Sequence, residues 1–92
     1  MWHTYILKCA DNTLYAGITT DLKRRLTEHN GGSLGAKYTK ARRPVRLAYS
    51  REFKNRSEAS QEECRIKQLS REQKLLLIKS AKKKARSSLA AD

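Results

Sequence analysis

The chain has 92 residues, with 21 Lys and Arg against 9 Asp and Glu, and a formal net charge of +12. That length leaves room for one small hydrophobic core and no second lobe. The charge repels itself unless a polyanion neutralises it, so nucleic acid is the expected partner. A membrane is not, because the cations run along the whole chain and no apolar stretch approaches the roughly 20 residues of a span.

Met1-Trp2-His3-Thr4 passes directly into strand-like sequence without a basic and then apolar leader, so a cytoplasmic location is expected. Residues 4–9 (TYILKC) and 14–18 (LYAGI) are rich in β-branched, aromatic and aliphatic types and predict the two strands of a hairpin. Asp11-Asn12-Thr13 between them suits a short loop. Directly opposed residues of a hairpin share a face, so Tyr5 and Tyr15 fall on one side only if paired residue numbers sum to an even value. A three-residue loop, 11–13, meets that condition. It would set Tyr15 beside Cys9 and Gly17 opposite Leu7.

Asp21 is an expected N-cap for a helix of LKRRLTEHN, with Leu22 and Leu26 on one side and Gly31-Gly32 as its stop. Residues 31–44 (GGSLGAKYTKARRP) predict a basic loop, the kind of segment in which function often resides. Val45 to Phe53 alternates as a third strand. Ser57 is an expected N-cap for a second helix to about Leu69, with Ala59, Ile66 and Leu69 inward. Ser70-Arg71-Glu72-Gln73 has the form of a capping box ahead of Leu75 to Ile78, predicting a short third helix. Residues 79–92 are low in large apolar groups and predict a basic, disordered tail. They hold five cations against one anion, so +8 of the charge lies on residues 1–78, the single expected domain. Cys9 and Cys64 match no metal-ligand spacing and are expected to be reduced structural thiols. The predicted fold is α+β: a three-stranded antiparallel sheet flanked by helices, a ββαβα core with a short C-terminal helix.

This order, with Tyr5 in the first strand, Tyr15-Ala16-Gly17 in the second, and Arg25 and His29 on the next helix, resembles the GIY-YIG nuclease family. Within it the chain resembles the small stand-alone bacterial members of the YhbQ type over about residues 3–78. The first signature is Gly-Ile-Tyr in the family's nucleases and His3-Thr4-Tyr5 here, keeping only the tyrosine. The resemblance implies a Mg²⁺- or Mn²⁺-dependent endonuclease holding one ion. Tyr15 and Tyr5 would position or deprotonate the attacking water, Arg25 would grip the phosphate, and an acid on the second long helix would hold the metal. Periodicity does not choose between Glu62 and Glu63, which lie about 40° and about 60° to either side of Ile66 on a helix. The family pattern Glu-x-x-Ile-Lys-x-Leu fits Glu63 to Leu69 and carries the metal role to Glu63.

His29 stacks above Arg25 on the first helix and has two readings: a neutral proton shuttle, or a cation closing the helix beside its negative end. Lys37, Tyr38, Lys40, Arg42 and Arg43 interleave an aromatic with cations, a composition suited to gripping phosphates and stacking on a base. DNA is the favoured partner and a monomer the expected state. Two other functions share the charge: a binding module of the same fold without turnover, and an RNA- or ribosome-associated basic protein. Only catalysis requires a particular carboxylate.

Overall fold

The computed structural model describes the backbone of residues 1–31 and 37–91 and the side chains of residues 1–31 and 38–81. Its elements in chain order are β1 (Trp2–Lys8), β2 (Leu14–Thr19), α1 (Leu22–Asn30), the single turn α2 (Lys37–Lys40), β3 (Arg46–Phe53), α3 (Arg56–Gln68) and α4 (Arg71–Ala91). The three strands form one antiparallel sheet in the order β2-β1-β3, so the α+β architecture predicted from sequence is the one observed.

The hairpin has the even parity expected, one pair out of the expected register. Tyr5 pairs with Gly17 and Leu7 with Tyr15, so Tyr15 is not beside Cys9 and Gly17 does not face Leu7. The cause is a longer connection. Cys9 N–H donates to Thr13 O at 2.9 Å and Asn12 N–H to Cys9 O at 2.9 Å, closing a turn in which Asn12 takes φ 67°, a conformation asparagine tolerates. The Asp11 carboxylate completes it by accepting from Thr13 N and Oγ1.

The sheet buries both faces. Tyr5, Leu7, Cys9 and Val45 pack with Tyr15, Leu22 and Leu26 on the α1 side, while Ile6, Ala16, Tyr49, Ile66 and Ile78 pack on the α3 and α4 side. Strict alternation would put Val45 and Tyr49 on one face. A bulge in β3 prevents this: Ile6 pairs with Tyr49 and Leu7 with Leu47, leaving Ala48 as the extra residue. Tyr49 thereby turns to the α3 face, where it meets Glu62.

The caps follow side-chain chemistry. Asp21 accepts from Arg24 N–H as expected. For α3 the cap is Asn55, whose Oδ1 accepts from Glu58 N–H at 2.9 Å, rather than Ser57. Ser70 and Gln73 exchange both bonds of the capping box, at 3.2 and 2.9 Å. The helix they start runs to Ala91, far longer than the short one predicted, since the Lys, Arg and Ala that read as a charged tail are also strong helix formers. The side chains of the tail predicted for 79–92 lie outside the described residues beyond Ala81. Within the predicted loop, residues 32–36 lie outside them too, and α2 follows.

Candidate active site

Tyr5 stands on the central strand, and its ring folds across Gly17 into the sheet face covered by α1. Only a glycine leaves that space: a Cβ at position 17 would lie 2.5 Å from the Tyr5 hydroxyl oxygen. The Tyr5 hydroxyl lies 3.0 Å from Nε2 of His29, and His29 Nδ1 lies 2.8 Å from Thr39 Oγ1 on α2. The Arg25 guanidinium, one turn before His29, lines a small cavity together with Tyr5. Burial pushes the Tyr5 phenol above its ordinary pKa, against the hydrogen bond and charge of Arg25, which pull it down. Burial, with the charges of Arg25 and Arg43, drives His29 down to about 4. His29 is therefore neutral at pH 7, and its reading as a cation closing α1 is set aside.

A second line of contacts leads outward from His29. The Tyr15 ring meets the His29 ring edge-on at 5.4 Å, Tyr38 stacks on Tyr15 at 5.6 Å, and the Arg42 guanidinium covers Tyr38 at 3.9 Å. Arg42 is also ion-paired with Asp11 at 3.0 Å and donates to the Tyr38 carbonyl at 2.9 Å. Arg43 is turned inward, its Nε donating to His29 O at 2.7 Å, so it satisfies a carbonyl at the end of α1. Lys40 is exposed, and the side chain of Lys37 lies outside the described residues.

The neighbouring glutamates, which periodicity left equivalent, are separated by their partners. Glu62 is buried and clasped by Arg65 at 2.6 and 2.9 Å, with Tyr49 donating at 3.3 Å and Arg51 ion-paired at 3.7 Å. The Arg65 hydrogen bonds hold its carboxyl below the usual range. Glu63 pairs with Lys67 at 3.7 Å, and its charge acts on the Tyr5 phenol, as does the Tyr15 hydroxyl. Tyr5, Tyr15 and His29, from two strands and α1, are thus in direct contact, Arg25 lines a small cavity with Tyr5, and Glu63 on α3 reaches the Tyr5 phenol through its charge.

Thr4, next to Tyr5 on β1, is fully buried and donates to Ala59 O at 2.7 Å, one helical turn before Glu63. The side chain that breaks the expected Gly-Ile-Tyr signature therefore fastens the strand bearing Tyr5 to the helix bearing Glu63.

A family model described as the GIY-YIG catalytic domain matches residues 1–76. The chain belongs to the GIY-YIG family. A UPF0213 protein of Desulfotalea psychrophila is 54% identical over 82 residues, covering 89% of this chain and 74% of its own. A UPF0213 protein of Halobacterium salinarum is 54% identical over 78 residues, covering 85% of this chain and 100% of its own. Among solved structures, the UPF0213 protein BH0048 of Bacillus halodurans matches with a TM-score of 0.55 at 42% identity, over 86% of this chain and 84% of that one. The E. faecalis protein EF2693 matches with a TM-score of 0.58 at 46% identity, over 85% and 82%. Membership in GIY-YIG makes this a chain of a nuclease family.

In GIY-YIG terms, the tyrosines, Arg25 and His29 are where the hairpin and first helix put them. Two features of the site were not read from sequence. Thr39 lies in a segment whose Gly and Lys content masks any signal, and the Arg42 to Asp11 tie joins residues 31 apart with no shared motif. Among the described residues no three His, Cys, Asp or Glu cluster as a metal cage. Glu63 alone still suits Mg²⁺, which takes one or two carboxylates and fills its octahedron with water and substrate phosphate oxygens. Among the described residues no helix is long and apolar enough to cross a membrane.

Proposed function

We propose that the chain is an endonuclease that hydrolyses phosphodiester bonds in nucleic acid, DNA in preference to RNA, with one Mg²⁺ or Mn²⁺ held by Glu63. The observation supporting this most directly is that the Tyr5 hydroxyl stands 3.0 Å from His29 Nε2, with Tyr15 against the same imidazole, Arg25 lining one small cavity with Tyr5, and the Glu63 charge acting on the phenol. A phenol, a guanidinium and an acid are what hydrolysis of a phosphodiester needs near one another: a group to orient water, a cation for the phosphoryl oxygens, and a ligand for a metal.

Arg25 has a fork of donors suited to two phosphate oxygens, and its side chain keeps 27% exposure. Glu28 at 2.9 Å holds it in place. Tyr15, half-buried against His29, and Tyr5 would each offer a hydroxyl oxygen to accept a hydrogen bond from the attacking water and so orient it. His29, neutral, anchors the Tyr5 hydroxyl from behind. The ion, when bound, supplies charge neutralisation at the phosphoryl and leaving oxygens. Tyr38, Lys40 and Arg42 border the site and would contact flanking nucleotides, while the net +12 adds affinity without sequence choice.

The test is incubation of the purified chain with supercoiled, branched and single-stranded DNA and with RNA, with and without Mg²⁺, beside Glu63→Gln and Arg25→Ala. Metal-dependent cleavage lost in both variants is the expected result. Salt-sensitive binding without cleavage would replace the enzyme by a binding module, and a preference for RNA at matched salt would overturn the choice of DNA.

A further inference from the structure

We propose that Arg42 is a latch over a base-stacking surface: the Asp11 carboxylate holds its guanidinium on the Tyr38 ring until DNA displaces it. A backbone phosphate then takes the guanidinium, and an unpaired nucleobase takes the ring face it uncovers. This rests on the reading of the chain as one that acts on DNA, and it names the group that competes with that substrate.

The guanidinium has three partners and is well matched to only one of them. Arg42 Nη1 donates to Tyr38 O at 2.9 Å, and Cζ lies 3.9 Å from the centroid of the Tyr38 ring. Nε lies 3.0 Å from Asp11 Oδ2 without the alignment of a hydrogen bond. Among the described residues it is the one buried side-chain nitrogen or oxygen left so. A phosphate offers a guanidinium two parallel, aligned bonds in place of that contact. It also has access, because the Arg42 and Asp11 side chains are 33% and 45% exposed. An ion pair and a cation–π contact at such exposure are both weak, whereas a base stacked on an aromatic ring is held more strongly. The exchange therefore favours the bound nucleotide.

Only the Arg42 side chain has to move. Its backbone is pinned, with N–H donating to Thr39 O and O accepting from Ala10 N–H, each at 3.0 Å. Asp11 is fixed by Thr13, whose N–H and Oγ1 donate to Oδ1 at 3.1 and 2.6 Å. The Tyr38 ring is braced by its stack on Tyr15, at 5.6 Å with 25° between planes. A base on Tyr38 thus lies one ring away from Tyr15, which places the clasped nucleotide beside the bond to be cleaved.

Asp11→Asn keeps the acceptor for Thr13 and removes the charge that holds Arg42. The test is fluorescence anisotropy of a labelled oligothymidylate with the full chain, without added metal, so that turnover plays no part. Asp11→Asn should tighten Kd at least about 5-fold in the parent and less than about 2-fold in an Arg42→Gln background. An equal gain in both backgrounds would mean that Asp11 merely repels phosphate, and would overturn the latch. Tyr38→Leu should weaken binding at least about 5-fold and Tyr38→Phe less than about 2-fold. On an oligomer of the same length with abasic sugars, the Tyr38→Leu loss should vanish. If it persists there, or if Tyr38→Phe binds as poorly as Tyr38→Leu, no base stacks on Tyr38 and the proposal fails. If Arg42→Gln does not fold, Arg42→Lys serves as the second background, since it keeps the charge and loses the planar fork. A chain that binds as expected yet cleaves nothing with Mg²⁺ refutes the endonuclease reading alone.

Discussion

Tyr5 lies across the hairpin from Gly17 so closely that a Cβ at position 17 would stand 2.5 Å from its hydroxyl oxygen and 2.7 Å from Cζ. Gly17→Ala therefore has to displace a ring that is 3% exposed and bonded to His29. We expect a loss of about 1–3 kcal/mol in urea unfolding, the range for overpacking a core, together with loss of cleavage. Gly31→Ala is the control. A Cβ there meets its nearest neighbour, Thr27 O, at an ordinary 3.7 Å, and stability should change by less than about 0.5 kcal/mol.

The two adjacent glutamates should separate by assay. Glu62→Gln breaks a buried clasp with Arg65, Arg51 and Tyr49 and should cost about 1–3 kcal/mol in chemical denaturation. Glu63→Gln loses one contact to Lys67 at 3.7 Å and should unfold within about 0.5 kcal/mol of the parent while abolishing metal-dependent cleavage. A Glu63→Gln chain that still cleaves would remove that residue from the metal role.

Arg25→Lys, which keeps the charge and loses the guanidinium fork, should raise the Tyr5 pKa, and Arg25→Ala, which loses both, should raise it further, because these are what oppose the effect of burial. Ultraviolet difference titration of the phenols reads this directly, with Tyr5→Phe assigning the transition. Cleavage should also fall, since an ammonium cannot reproduce the fork that meets Tyr5 and Glu28 together.

His29 should make the fold sensitive to acid. Its pKa is near 4 when folded and near 6.5 when unfolded, so over that interval the unfolded chain takes up a proton that the folded chain refuses. This contribution to stability is full above about pH 6.5 and disappears as pH falls through 4. It amounts to about 3 kcal/mol. Urea midpoints measured from pH 7.5 to pH 4 should fall more steeply in the parent than in His29→Gln, and equal slopes would contradict the buried neutral imidazole.

What the sequence disclosed was what local chemistry decides. The Asp21 cap, the reciprocal Ser70 and Gln73 bonds, and the shared face of Tyr5 and Tyr15 each follow from a short stretch of chain. The exact pairing of the hairpin did not, since two even registers satisfy the same parity and the turn around Asn12 selects between them. The difference between the partners of Glu62 and those of Glu63 was likewise hidden. It depends on Ala48, whose insertion in β3 swings Tyr49 toward α3 and supplies Glu62 with a donor. A bulge leaves no mark in an alternating pattern until its partner strand is known.

Because β1 is hydrogen-bonded on both sides, by β2 and by β3, its amides should be among the last to exchange with deuterium when the molecule opens locally. Tyr5 and Thr4 ride on that strand. Fraying at either edge of the sheet would then leave the phenol and the tether to α3 in register.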